Sequence, residues 1–422
     1  MEDHPLRYEL ANEMHARPFM ALAVPSTAVF LALKQPGNAA GRDRAADMAH
    51  LCALLDRHGA QHPKPGATHW VGQIGRHWLK WESHTEVVTY TVFADGLSAR
   101  AFDPADFEIF PEEWLAQAPG MRLTSALVRV DRMGSDEEMS KALAEWFVPE
   151  SLAASRVLDD AAVMAADYRI DPAGHLRFAV FVREGVGQRR VGRIVQRLCE
   201  IETYKSLSLL GFARARALSP ELARVGAGLT RLVEEMGQGG QAADETLEAL
   251  LGVSGDLEQV SAQTSFRFSA TAAYEQLVHE RVAVMREARF EGRQSFAEFM
   301  LRRFDPAMRT VRATEARLKA MVERAARAGD LLRTRVDVER SAQNQALLES
   351  MDRRADLQLR LQRTVEGLSV VAISYYAINL VTYGLYPVAK ALHVDKTMLT
   401  AAATPVVVLA VWLVVRNIRN RH

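Results

Sequence analysis

Glu82, His84 and Glu86 alternate along one short stretch. On an extended strand that spacing turns all three side chains to one face. Acid, imidazole and acid together could hold a divalent cation or tune the histidine proton. The same row also suits the solvated face of a sheet, with Lys80 pairing one acid. A second concentration of polar groups, Asn12, Glu13, His15, Arg17 and Pro18, lies near the N-terminus. The planar fork of Arg17 could clamp an anion or dock the segment by salt bridges. His15 has no acid/base partner visible in the sequence. A third group, Tyr375, Asn379, Thr382, Tyr383 and Tyr386, falls at offsets 0, 4, 7, 8 and 11 and therefore on one side of a helix. An amide such as that of Asn379 needs a hydrogen-bond partner in hydrocarbon. The stripe reads either as a pore lining or as a packing face for a helix bearing Ala401, Ala402, Ala403 and Thr404. Tyr383 and Tyr386 also suit interfacial anchors. Finally, Arg189, Arg190, Arg193 and Arg197 alternate with Val191, Ile194, Val195 and Leu198 as a basic amphipathic helix, either a solvated face or a contact for anionic lipid.

Other chemistries lack their motifs. There is no phosphate-binding Walker loop, dinucleotide fingerprint or Gly-x-Ser-x-Gly elbow, and Gly185-Val-Gly187 is too short a glycine signal. No catalytic constellation and no cofactor is evident beyond the divalent cation considered above, so an enzyme ranks behind the other readings. The 422 residues carry 52 Lys plus Arg against 52 Asp plus Glu, which gives no reason to expect nucleic acid. Cys52 and Cys199 are the only cysteines and read as buried, inert thiols. The first residues lack a basic segment followed by an apolar one, so no secretory signal is expected.

Three zones must position these residues. Eleven of the fifteen prolines and five of the six tryptophans lie before residue 188. This first zone, 1–187, reads as a sheet with helices packed on it. Strands are expected at Thr27–Lys34, His69–Gly75, Trp78–His84, Glu86–Ala94, Arg122–Val130 and His175–Arg183. Asp171-Pro-Ala-Gly174 supplies a turn before the last. Arg42–Arg57 has helical periodicity, and Ser135 with Glu138 forms a capping box for a helix to Phe147. The second zone, 188–366, is rich in helix formers. Gly237-Gln-Gly-Gly240 and Gly252-Val-Ser-Gly255 are expected helix ends. Helix is expected through Arg312–Arg340 and Gln358–Glu366, with Leu332, Val336, Gln343, Leu347, Met351 and Val365 near one face. That is a coiled-coil-like seam, compatible with a monomeric bundle or with self-association.

The third zone, 367–422, carries no charge over the 23 residues Gly367–Ala389 or the 19 residues Thr397–Val415. At about 1.5 Å per residue each spans roughly 28–34 Å, the thickness of a hydrocarbon core. A hairpin of two transmembrane helices is the expectation. Arg353, Arg354, Arg360 and Arg363 precede it and Arg416, Arg419 and Arg421 follow it, whereas the loop holds Lys390 and Lys396. This bias puts both termini and the main domains on the cytoplasmic side.

Several segments resemble an uncharacterised bacterial family of membrane-anchored proteins, domain of unknown function 3422: Asn12-Glu-Met-His-Ala-Arg-Pro18, Trp78-Leu-Lys-Trp-Glu-Ser-His-Thr-Glu86, Ile201-Glu-Thr-Tyr204, Leu331-Leu-Arg-Thr-Arg-Val-Asp337 and Thr364-Val-Glu-Gly-Leu-Ser-Val-Val-Ala-Ile-Ser-Tyr-Tyr376. The resemblance covers nearly the whole chain and implies a bacterial inner-membrane protein, with no activity to borrow. In architecture the chain also resembles the CorA family of magnesium channels: a cytoplasmic α/β domain, a helical stalk and a C-terminal two-helix hairpin. That likeness implies a homo-oligomer, in that family a pentamer whose first membrane helix lines the pore. Where the family carries Tyr-Gly-Met-Asn this chain has Tyr383-Gly384-Leu385-Tyr386, so the ion-facing asparagine is missing. The expected fold class is thus an α+β membrane protein. The leading functional reading is an oligomeric CorA-like assembly that could conduct cations. The alternative is a membrane-tethered scaffold or regulator whose cytoplasmic domain binds a partner.

Overall fold

The structure, a computed structural model, describes residues 3–8, 11, 19–37, 41–238, 243–391 and 395–419. Its centre is β1 (Ser26–Lys34), an apolar run buried over all residues but Lys34 because both of its faces are covered. Odd residues Val29, Leu31 and Leu33 enter one core, with Leu51, Leu54, Leu55, Trp114 and Leu143. Those partners come from α1 (Arg44–Arg57), α2 (Glu112–Ala116) and α3 (Asp136–Trp146). The Asp43 side chain caps α1 by accepting from the amides of Ala45 and Ala46, and the Ser135–Glu138 capping box starts α3 as expected.

The remaining strands are β2 (His69–Ile74), β3 (His77–Ser83), β4 (Val88–Asp95), β5 (Met121–Arg132), β6 (Ala153–Val157), β7 (Ala162–Ala166), β8 (Leu176–Val182) and the short β9 (Ala288–Arg289). They form one nine-stranded sheet in the order β2-β3-β4-β1-β5-β8-β7-β6-β9. Every pairing is antiparallel except β5 with β8. All six expected strands are present within a few residues. The alanine-rich β6 and β7 were not anticipated, because alanine carries no strand signal. Gly174, at φ +90°, makes the expected turn before β8.

His50 shows how tightly this first core is specified. Its Nε2 lies 3.0 Å from the Trp114 carbonyl, which can only accept, so Nε2 carries the proton. Nδ1 then accepts from the Tyr90 hydroxyl at 3.0 Å, while the ring stacks on Trp114 at 3.9 Å. Burial, partly offset by the Trp114 carbonyl and by Asp47, holds its pKa below the usual histidine value.

The opposite face of the sheet is covered by α4 (Gln188–Gln238), whose Val191, Ile194, Val195 and Leu198 are buried. Gly192 is required there: a Cβ would lie 1.7 Å from the Met20 carbonyl oxygen. α5 (Ala243–Ala283) packs on α4, with Gly211 against Thr271. After β9 come α6 (Phe296–Phe299), a π-turn at Met300–Phe304 and α7 (Asp305–Ala391). Arg317 donates to the Leu222 carbonyl at 3.4 Å and Arg312 pairs with Glu275, so α4, α5 and the start of α7 form a three-helix bundle.

One expectation is corrected by this bundle. Gly252-Val-Ser-Gly255 does not end a helix; α5 runs through it. A glycine inside a helix costs only about 1 kcal/mol, and buried Leu250 and Leu257 on either side hold the helix in place. Residues Met1–Gln241 and Glu245–Gly329 form one compact unit with the sheet, and Ala242–Asp244 with Asp330–His422 form a second. α4 is described as far as Gln238, and Gly239 and Gly240 of the expected break lie outside the described residues. The second unit holds the rest of α7 and α8 (Lys396–Arg419).

Candidate functional site

The acid-His-acid row does not lie on one strand. β3 ends at Ser83, so only Glu82 belongs to it, while His84 and Glu86 lie in the bend before β4. Each carboxylate has its own cation. Glu82 pairs with Lys80 at 3.1 Å. Glu86 is gripped by both terminal nitrogens of Arg267 on α5 and accepts from the Tyr274 hydroxyl at 3.0 Å. His84 Nε2 lies 3.3 Å from Thr89 Oγ1. Among the described residues no three His, Cys, Asp or Glu side chains are grouped to hold a metal.

These residues instead join a charged layer between the sheet and the helices. Lys80 donates to Gln196 Oε1 at 2.7 Å, Gln196 donates to Glu200 at 2.8 Å, and Arg281 of α5 closes on Glu200. Glu202 accepts from Thr124 at 2.9 Å and pairs with Lys205 at 3.0 Å. Glu82, Glu86, Glu200 and Glu202 are thus matched by Lys80, Arg267, Arg281 and Lys205. Charges removed from water survive only when paired in this way. The layer fastens α4 and α5 to the sheet. Nothing in sequence spacing joins Glu86 to Arg267, which lie 181 positions apart.

One turn toward the start of α4 the balance changes. Its first turns, with the chain at Ala21, the β6–β7 turn and the segment after α5, enclose an open groove of about 1090 Å³. The groove is lined by Arg189, Arg190, Arg193, Arg197 and Arg286. So the four arginines of the basic amphipathic helix converge, and Arg286 joins them from a distant segment that sequence reasoning missed. The turn at the rim is itself unusual: Leu158, Asp159 and Asp160 take φ values of 53°, 57° and 62° in succession. Three consecutive left-handed residues without glycine cost roughly 1–2 kcal/mol each. Arginines hold them there. Arg190 donates to the Leu158 carbonyl at 2.7 Å, Arg286 meets Asp159 at 2.5 Å, and Arg156 and Arg183 bind Asp160. Arg193 lies over the Phe19 ring at 4.9 Å. Burial first, and then the neighbouring Arg193, Arg281 and Arg286 against the opposing pull of Glu200, lower the Arg197 pKa.

In the second unit, the two helices are long and apolar enough to cross a membrane. Tyr375, Tyr383 and Tyr386 are exposed, Asn379 is half-buried and Thr382 is buried. Asn379 donates to its own helix at the Tyr375 carbonyl, 3.1 Å away, and Thr382 does the same to Ile378 at 2.7 Å. Of the expected seam, Leu332 and Val336 are buried, whereas Gln343, Leu347, Met351 and Val365 are exposed. Asn12, Glu13, His15, Arg17 and Pro18 lie outside the described residues. Both thiols are free, with pKa values raised first by burial, Cys199 far more than Cys52.

The family model described as a protein of unknown function (DUF3422) matches residues 2–422, the whole span of the features described above. No curated protein and no solved structure matches the chain, and the architectural likeness to the CorA family finds no support there.

Proposed function

The chain belongs to this family of unknown function, and from that premise we propose that it is a membrane-tethered scaffold or regulator whose mixed sheet-and-helix unit is the working part. The observation that carries the reading is the exposed apolar surface of the two terminal helices. Leu368, Val371, Leu380, Val406, Leu409 and Leu413 all stand exposed on segments free of charge. Such a surface is unfavourable in water and favourable in a bilayer. The arginine bias on both flanks favours termini on the cytoplasmic side of a bacterial inner membrane.

A tether accounts for the hairpin better than a pore does. Thr382 spends its hydroxyl donor and Asn379 one of its two amide donors on their own backbone, which lowers the polarity that the stripe offers to a water-filled path. Lys390 and Lys396, at the ends of the two helices where the connection joins them, would repel entering cations. The test has two steps. Alkaline extraction should leave the full chain in the membrane fraction and release a chain truncated before Gly367. Reconstituted liposomes should show no protein-dependent cation flux. Flux carried by a ring of about five copies, with Asn379→Ala altering it, would instead establish the channel implied by the CorA likeness.

A further inference from the structure

The groove at the head of α4 gathers positive charge that the fold does not neutralise. Of its five lining arginines, Arg190 and Arg286 are engaged with the β6–β7 turn. Among the described residues no carboxylate lies within 4.0 Å of Arg189, Arg193 or Arg197. At the rim turn Asp160 is taken by Arg156 and Arg183, and Asp159 is shared between Arg286 at 2.5 Å and Arg190 at 3.9 Å. Purely structural arginines behave differently in this molecule: Arg267 and Arg281 each close on a carboxylate. The unpaired ones are also confined. Arg193 is fixed over Phe19, and Arg197 is half-buried with its Nη1 3.5 Å from the Val284 carbonyl.

We propose that this groove binds a soluble anion carrying two or more phosphate groups, of the pyrophosphate or nucleoside-polyphosphate class. Three features select that chemistry. Arg189 to Arg197 span two turns of helix, about 12 Å, which is too far for one carboxylate or one phosphate to reach every guanidinium. Linked phosphates present several oxygens along such a line, and guanidinium forks bind them in pairs. The volume of about 1090 Å³ is that of a small-molecule site and much larger than a single phosphate needs. The walls other than arginine, chiefly Ala21, Leu158, Gly187 and Val284, offer few polar side chains, so recognition falls on the phosphates. The start of α4 adds the positive end of a helix dipole to the same place.

The test is calorimetric titration of the full chain in detergent, without divalent cations, using inorganic pyrophosphate, ATP and orthophosphate. Pyrophosphate and ATP should bind at one site, with orthophosphate at least tenfold weaker. The double variant R193Q/R197Q should lose at least tenfold for pyrophosphate, whereas R353Q/R354Q, outside the groove, should keep the wild-type affinity. R189Q should show a smaller loss in the same direction and serves if the double variant does not fold. Absence of pyrophosphate binding to the wild-type chain, or equal affinity in the groove variants, would overturn the proposal. So would groove-dependent binding to micelles containing diphosphatidylglycerol without binding to pyrophosphate, since the phosphates would then belong to a lipid headgroup.

Discussion

Two stretches of α4 treat charge in opposite ways. From Glu200 to Lys205 every charged side chain meets an opposite charge, and in the layer they join Glu82, Glu86, Glu200 and Glu202 answer Lys80, Arg267, Arg281 and Lys205. From Arg189 to Arg197 the charges share one sign, and three of them meet no carboxylate among the described residues. The first arrangement is what burial demands, since an unpaired ion in the interior costs several kcal/mol. The second persists only because the groove is open to water. One stretch serves stability and the other is available for a ligand, so substitutions in the two should have contrasting effects.

The sharpest break falls on the buried layer. Arg267→Met should leave Glu86, with a side chain 1% exposed, without its cation. The expected loss is about 3–5 kcal/mol of stability, the usual consequence of orphaning a buried charge. Chemical denaturation would register it, and the double variant Arg267→Met/Glu86→Leu should recover much of it. No recovery would mean that Tyr274 and the packing around it, rather than charge pairing, hold α5 to the sheet.

Next in size is Gly192→Ala. The added methyl would meet the Met20 carbonyl oxygen at 1.7 Å, where nothing flexible can yield, and Leu22 N–H already bonds the Gln188 carbonyl at 3.1 Å. Either the N-terminal strap lifts or α4 shifts, at a cost of about 1–3 kcal/mol. Both movements would widen the groove at Ala21, so this variant should weaken anion binding as well as lower the melting temperature. Weakened stability with unchanged binding would separate the strap from the groove.

A smaller effect follows from His50. It is neutral in the fold, donating to Trp114 and accepting from Tyr90, and its pKa is lowered. The unfolded chain takes up a proton near pH 6.5, so below that value the unfolded state binds more protons than the native one. Stability therefore falls as pH drops from about 7.5 to 5.5. His77 and His175, also lowered mainly by burial, add to the same trend, while Glu287, raised by burial, opposes it. Denaturation midpoints at the two pH values should differ less in His50→Gln than in the wild type. An equal difference would show that His50 contributes nothing to the slope.

The local devices among these elements were legible in the sequence. The Asp171–Gly174 turn and the Ser135 capping box act through neighbours within four residues. The apolar run of β1 and the basic amphipathic start of α4 announce themselves by periodicity. What sequence could not give was pairing across the fold. Glu82, His84 and Glu86 looked like one site because their spacing was read on a strand that stops at Ser83. Glu82 keeps the nearby Lys80, which reaches on to Gln196 of α4, whereas Glu86 is held by Arg267 of α5, 181 positions away. Arg286 and Asp159 complete the groove for the same non-local reason. Gly252 and Gly255 misled because tertiary packing of Leu250 and Leu257 outweighs glycine's weak helix propensity.

The smallest expected effect is also the one that most directly tests the contrast along α4. Arg189→Gln removes an exposed cation with no carboxylate within 4.0 Å among the described residues, so stability should change by no more than about 0.5 kcal/mol. Its sign is informative. Relief of repulsion from Arg190 and Arg193 favours a slight gain, and added salt should shrink that gain by screening the same charges. Thermal melts of wild type and variant at low and high sodium chloride would read both effects. A clear loss of stability, unaffected by salt, would mean that Arg189 is held by a partner of its own. The groove would then belong with the balanced layer rather than opposite it.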